Sequence, residues 1–138
     1  MLGTAAKLSV PYIAMHSRGE SKTMHERATY KDVVGEVIDE LKARLKAVDA
    51  AGISRNNVVI DPGLGFAKES SHNWQILNRL SEFKELGLPL LIGASRKRFL
   101  GEIAGATSPD DREAASVALT ALLAAQRVWG VRVHSVKA

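Results

Sequence analysis

Four short apolar runs, separated by longer segments of helical periodicity, constrain this chain more than any other feature. The runs are residues 10–15, 57–60, 89–93 and 131–134. Val58-Val59-Ile60 and Leu90-Leu91-Ile92 lack polar alternation, as expected of strands covered on both faces. Between the first two runs, Val34, Ile38, Leu41, Leu45 and Val48 recur at three- and four-residue steps, with Glu36, Asp39, Glu40, Lys42 and Lys46 opposite. Thr29 with Asp32 reads as a capping box at the start of this helix, and Ala51-Gly52 as its end. A second helix carries Trp74, Leu77, Leu80 and Phe83 and stops near Gly87-Leu88-Pro89. A third runs over about residues 109–128, with Ser108 as N-cap, Pro109 in the first position and Asp110 and Asp111 complementing the helix dipole. Strand and helix alternate throughout, which predicts βαβ units and a parallel sheet.

Composition narrows the class. The 138 residues carry 19 Lys and Arg against 15 Asp and Glu, and 46% are hydrophobic, the profile of an ordinary globular chain. The charges interleave along the helices, so neither a nucleic-acid nor a membrane partner is expected. With no Cys, disulfide scaffolds, thiolate metal sites and Cys nucleophiles are excluded. The longest apolar run, residues 117–125, is interrupted by Thr120 and falls short of the ~20 residues of a membrane helix. The first residues lack the charged start and apolar core of a signal peptide, so a cytoplasmic location is expected. The length suits one domain over residues 1–138.

A complete (β/α)8 barrel needs about 250 residues and eight strands. Four strands leave two readings: a small open α/β sheet, or the second half of a barrel. A half barrel exposes two sheet edges, which is a liability.

In parallel α/β folds, functional residues gather at the carboxyl ends of the strands. Those ends read Met15-His16-Ser17-Arg18-Gly19, Asp61-Pro62-Gly63-Leu64-Gly65-Phe66-Ala67-Lys68, Gly93-Ala94-Ser95-Arg96-Lys97-Arg98 and Arg132-Val133-His134. On a strand, Arg132 and His134 share a face and Val131 and Val133 point to the helices. A buried Arg there needs either a carboxylate partner or a bound anion such as phosphate or pyrophosphate. Arg96, Lys97 and Arg98 fall at a helix start, where the dipole disfavours cations, so they serve a bound anion or form a solvated basic turn. Lys97 and Arg132 follow adjacent strands, so their heads can converge. Asp61 is either a turn former or a rigid carboxylate at a pocket floor, and a carboxylate accepts well from an amino-pyrimidine edge. Gly63 and Gly65 keep its loop thin. Phe66 stacks on a ring or belongs to the core. His16, His25 and His72 have no metal-ligand spacing, and His72 is assigned a structural role.

Together these residues resemble dihydropteroate synthase. The matching motifs are Met15-His16-x-Arg18-Gly19, Asp61-Pro62-Gly63-x-Gly65-Phe66-x-Lys68 with Asn73, Gly93-x-Ser95-Arg96-Lys97 and Arg132-Val133-His134, in the order of that family's C-terminal half. Gly63-Leu64-Gly65-Phe66-Ala67-Lys68 and Trp129-Gly130-Val131-Arg132 are similar to actinobacterial members. The resemblance implies an α/β fold whose parallel (β/α) units form strands 5 to 8 of a TIM barrel. It implies a folate-pathway transferase, a sulfonamide target, that joins 6-hydroxymethyl-7,8-dihydropterin pyrophosphate to p-aminobenzoate and releases pyrophosphate. By carry-over, Asp61 accepts from the pterin, Lys97 contacts pterin and orients p-aminobenzoate, and Arg132 and His134 hold the pyrophosphate. Lys97, Arg132 and His134 are thus the implied catalytic residues. Met15 and Gly93 shape the pterin slot, Phe66 meets the p-aminobenzoate ring, and Ser95 and Arg98 complete the substrate set. The resemblance further implies Mg2+, with its main protein ligand in the family's first half, and a homodimer at full length. No metal ligand is expected in this chain.

Two positions depart from the family pattern: Ser135 stands where Asp is common, and Arg98 where many bacterial members have Ser. Without the family's first four strands, the chain alone is expected to show little or no turnover. Two other readings are a non-catalytic pterin-binding remnant and a pterin-dependent methyltransferase domain. Methyl transfer needs no pyrophosphate site, so Ser95-Arg96-Lys97 and Arg132-Val133-His134 count against the latter.

Overall fold

The computed structural model describes residues 1–19, 27–105 and 107–136. It opens with a helix that the apolar pattern does not announce, α1 (Leu2–Leu8), which buries only Ala5 and closes on Ser9 in the left-handed region. The parallel strands are β1 (Tyr12–Met15), β2 (Val58–Asp61), β3 (Leu91–Ile92) and β4 (Gly130–Val131). Between them lie α2 (Val33–Ala50), α3 (Ser70–Asn78), α4 (Leu80–Phe83), α5 (Arg98–Ala104) and α6 (Glu113–Ala125).

Three local expectations are corrected. Thr29 and Asp32 form no capping box: Asp32 is itself the N-cap of α2, and Glu36 Oε1 accepts from the N–H groups of Lys31 and Asp32 at 2.7 and 3.1 Å. The second predicted helix is broken at Arg79, whose guanidinium is turned to Asp32 and Glu82 at 2.8 and 2.6 Å. The third begins as a tight turn, Asp110–Arg112, before α6, with Ser108 Oγ accepting from the Asp111 N–H as an N-cap should.

β1 pairs with β2 from Tyr12↔Val58 to Met15↔Asp61, and β3 pairs with β4 at Leu91↔Gly130 and Ile92↔Val131. A parallel bridge, Ile60↔Leu90, joins the pairs, with the Ile60 N–H donating to the Pro89 carbonyl at 2.9 Å. The strands therefore lie in sequence order and wind in one direction, without the order reversal of a doubly wound sheet. All four carboxyl ends meet at the same rim. Beneath it, Val34, Leu41, Ile60, Ile76, Phe83 and Ile92 are fully buried in one apolar cluster. Burying each such side chain contributes about 1.5–3 kcal/mol, which fixes the rim on a rigid base.

Candidate active site

Asp61 ends β2 and is 2% exposed. Its Oδ1 accepts from the Gly63 N–H at 2.7 Å, so the side chain folds its own loop. Burial raises its pKa, while that hydrogen bond and the charges of Arg132, Lys68 and Lys97 pull it down. The turn-forming reading of Asp61 thus holds, and Oδ2 carries no hydrogen bond to the described residues. Met15, half-buried, lies beside Gly63. Asn73, buried on α3, clamps the loop from below: its Oδ1 accepts from the Gly65 N–H and its Nδ2 donates to the Glu69 carbonyl, both at 2.8 Å.

Lys97 is the N-cap residue of α5, and its ammonium stands 4.1 Å from the centroid of the half-buried Phe66 ring. Burial lowers its pKa, Arg132 lowers it further, and Asp61 opposes both. Arg132 lies across Gly93; a Cβ at Gly93 would stand 2.7 Å from the guanidinium, which would have to shift to admit it. Arg132 thus comes close enough to Lys97 to act on its charge, as the adjacency of their strands predicts, and both act on Asp61.

The remaining basic residues divide. Arg96, at φ +57, pairs with Glu113 at 2.9 Å and Asp110 at 3.0 Å, and its N–H donates to Ser116 Oγ. It serves the α5–α6 junction, not an anion. Arg98 is exposed at the first position of α5. Buried Ser95 accepts the His134 N–H at 3.2 Å.

The strand argument for Arg132 and His134 is corrected. β4 stops at Val131 because β3 offers only two residues; the Arg132 N–H still reaches the Ile92 carbonyl at 3.0 Å, and pairing then ends. Both side chains are exposed. No desolvation cost demands an anion at Arg132; its place over Gly93 and near Asp61 is what remains of that inference. Val133, 46% exposed, lies against α6 beside Val117 and Thr120.

The sequence reading missed a buried chain of polar groups behind the loop. Lys68 is 5% exposed, and its ammonium donates to His16 Nδ1 at 2.8 Å and to the Phe66 and Gly63 carbonyls at 3.0 and 3.1 Å. His16 Nε2 meets Glu40 at 2.9 Å. Arg18 binds Glu40 and Glu36, donates to the Thr29 carbonyl and lies 3.9 Å over the Tyr30 ring. Burial and the Lys68 charge push His16 down to about 4, so the ring is neutral and donates through Nε2. Burial likewise pushes Lys68 down to about 7. The signal in the sequence was the place of His16, Arg18 and Lys68 in the motifs at the strand ends, which did not reveal that they touch one another. His72 is structural, as expected: its Nδ1 accepts from the Glu69 N–H, and its ring meets Tyr30 edge-on. His25 lies outside the described residues.

A cavity of about 380 Å³ opens on the outer side of Lys97, lined by Gly65, Lys68, Asn73, Arg98 and Glu102 among others. That volume is within the ~300–1,000 Å³ of small-molecule pockets. Asp61 and Arg132 do not line it, whereas Lys97 does, and Arg132 and Asp61 both act on the Lys97 charge. Among the described residues, no three His, Asp or Glu side chains gather as metal ligands. Nor is any described helix long and apolar enough to cross a membrane.

The family profile of pterin binding enzymes matches residues 1–134. The dihydropteroate synthase of Mycobacterium leprae is 46% identical over all of this chain and 51% of its own length. Two solved structures superpose closely. The Xanthomonas albilineans dihydropteroate synthase in complex with 7,8-dihydropteroate gives a TM-score of 0.88 at 41% identity, covering 98% of this chain and 48% of that one. The Thermus thermophilus enzyme in complex with 4-aminobenzoate gives 0.92 at 40% identity, covering 99% and 56%. The chain spans about half the length of the relatives it matches.

Proposed function

The chain belongs to the pterin binding enzyme family, and from that premise we propose that it carries one half of a dihydropteroate synthase site, with residues 1–138 part of one pterin-binding domain and its strands the fifth to eighth of a (β/α)8 barrel. The observation that supports this most is the meeting of buried Asp61, half-buried Lys97 and Arg132 at one rim. Relatives of similar sequence have been solved with 7,8-dihydropteroate and with 4-aminobenzoate.

In this reading the free edge of Asp61 accepts two N–H groups of the pterin's amino-pyrimidine. Met15 and Gly93 bound the pterin slot, and Ser95 holds the backbone at His134. Arg132, with His134, takes the pyrophosphate; a guanidinium fork matches phosphate oxygens and neutralises charge as it develops on the leaving group. The cavity beyond Lys97 takes p-aminobenzoate, with Phe66 against its ring and Arg98 at its mouth. The amine nitrogen forms a bond to the pterin methylene carbon as the carbon–oxygen bond to pyrophosphate breaks, and the nitrogen then gives up a proton. These residues contribute by positioning and by charge stabilisation. In the same reading, Mg2+ takes its main protein ligand from the family's first half. A homodimer of the full-length enzyme, in the cytoplasm, belongs to the same reading. Lys97 and Arg132 have no use in pterin-dependent methyl transfer, where no pyrophosphate leaves.

The test is formation of 7,8-dihydropteroate from the pterin pyrophosphate and p-aminobenzoate. The chain alone is expected to give little or no product. Co-expression with the half of a relative that it does not cover is expected to restore turnover, and Arg132→Ala is expected to abolish it. Native rates from the chain alone would refute the half-site reading; no product from the combined halves would favour a non-catalytic pterin binder.

A further inference from the structure

We propose that Lys68 is a positioning residue: its ammonium, clamped between the His16 ring and the carbonyls of Gly63 and Phe66, sets the loop that aims Asp61 and Phe66. The loop needs such a clamp. Gly63, Gly65 and Ala67 all sit at positive φ, +68, +73 and +49, and for Ala67 that conformation is strained. The fold turns the Gly63 and Phe66 carbonyls inward, where each needs a donor. Phe66 N–H reaches the Gly63 carbonyl at 3.1 Å, but nothing else described reaches the Phe66 carbonyl except Lys68.

Burying an ammonium is costly, and a methionine of similar length fills the same space without that cost. Hydrogen bonds offset part of that cost. Each N–H of the ammonium has an acceptor, and the His16 acceptor is itself fixed by Glu40 and, behind Glu40, by Arg18. The charged groups acting on Lys68 come from every neighbouring element: Asp61 from β2, Glu40 from α2, Arg18 after β1 and Lys97 at the head of α5. Tyr30, whose hydroxyl donates to the Ala67 carbonyl at 2.9 Å, closes the remaining side. Because burial brings Lys68 to about 7, the clamp loses one of its three N–H groups near neutrality. The link to ligand binding rests on the proposed pterin contact of Asp61; the clamp itself does not.

The experiment compares the wild-type chain with Lys68→Met in two arms. In the first, hydrogen exchange is read at the Gly63, Gly65 and Phe66 amides. Loss of a hydrogen bond to a charged group is expected to speed their exchange at least about tenfold, with the amides of α2 unchanged. In the second, calorimetry follows affinity for 6-hydroxymethylpterin from about pH 6 to 9. Wild-type affinity is expected to fall as pH passes about 7, and this step is expected to vanish in Lys68→Met. Unchanged exchange, or a step that survives in Lys68→Met, would overturn the proposal. If Lys68→Met does not fold, His16→Asn, which keeps an acceptor for Lys68, is compared with His16→Leu, which removes it. Loosened loop amides in His16→Leu alone support the clamp, and equal behaviour refutes it. If the wild-type chain binds no pterin at any pH, the reading of Asp61 fails while the exchange arm still decides the role of Lys68.

Discussion

At Gly63 the loop after β2 runs so close to the end of β1 that an added Cβ would stand 2.0 Å from the His16 carbonyl oxygen, at a φ of +68. Both the contact and the conformation exclude a side chain. Gly63→Ala is expected to destabilise the chain by at least about 2 kcal/mol, read as a lower urea midpoint. His16 predicts a pH dependence. Its folded pKa is lowered to about 4 by burial and by Lys68, whereas an unfolded histidine titrates near about 6.5. The unfolded chain binds the proton more readily, so stability is lost as pH falls from about 6.5 to 4. Urea unfolding at the two ends of that window should show a loss that His16→Asn reduces. Lys68 has the same sign at higher pH: depressed in the fold, it makes stability rise with pH from about 7 to its unfolded value. These roles were hard to read from the sequence. His16 and Lys68 are separated by 52 positions, and only the parallel pairing of β1 with β2 brings them together.

Among the elements, α3 shows how a helix serves the site. Its buried Asn73 ties the Gly65 N–H to the helix start. Asn73→Ala should cost about 1–3 kcal/mol, the penalty for leaving buried groups unpaired. Asn73→Asp keeps an acceptor for Gly65 but sets a buried carboxylate oxygen against the Glu69 carbonyl, so it should not recover the loss, as measured by chemical denaturation. The alternation of elements was legible because α2 carries an apolar stripe and β3, like β2 up to Ile60, is uniformly apolar. Three details were not. α1 buries a single side chain, so it leaves no stripe to detect. The spacing of Trp74, Leu77, Leu80 and Phe83 runs unbroken across Arg79, so the break there depends on tertiary ion pairs with Asp32 and Glu82. Val131 and Val133 continue a strand-like alternation past the point where β3 has residues left to pair. Asp61, Lys97 and Arg132 were nonetheless legible as candidates, because charge at the carboxyl end of an apolar strand contributes nothing to packing.

On the scale of the whole molecule, the sequential parallel order of four strands brings their ends to one rim, and there three charged groups differ in burial. Asp61 is buried, Lys97 half-buried and Arg132 exposed. That gradient suits a ligand with an uncharged, hydrogen-bonding ring system placed inward and a polyanion placed outward. It also separates two kinds of loss. Removing the inner carboxylate should weaken every pterin, whereas removing the outer guanidinium should weaken only those that carry pyrophosphate. The measurement that tests this most directly is calorimetric titration of the folded chain with 6-hydroxymethylpterin and with its dihydropterin pyrophosphate, repeated for Asp61→Ala and Arg132→Ala. The expected result is loss of both ligands in Asp61→Ala and selective loss of the pyrophosphate ester's advantage in Arg132→Ala. A folded wild-type chain that binds neither ligand, or variants that bind both as the wild type does, would contradict it.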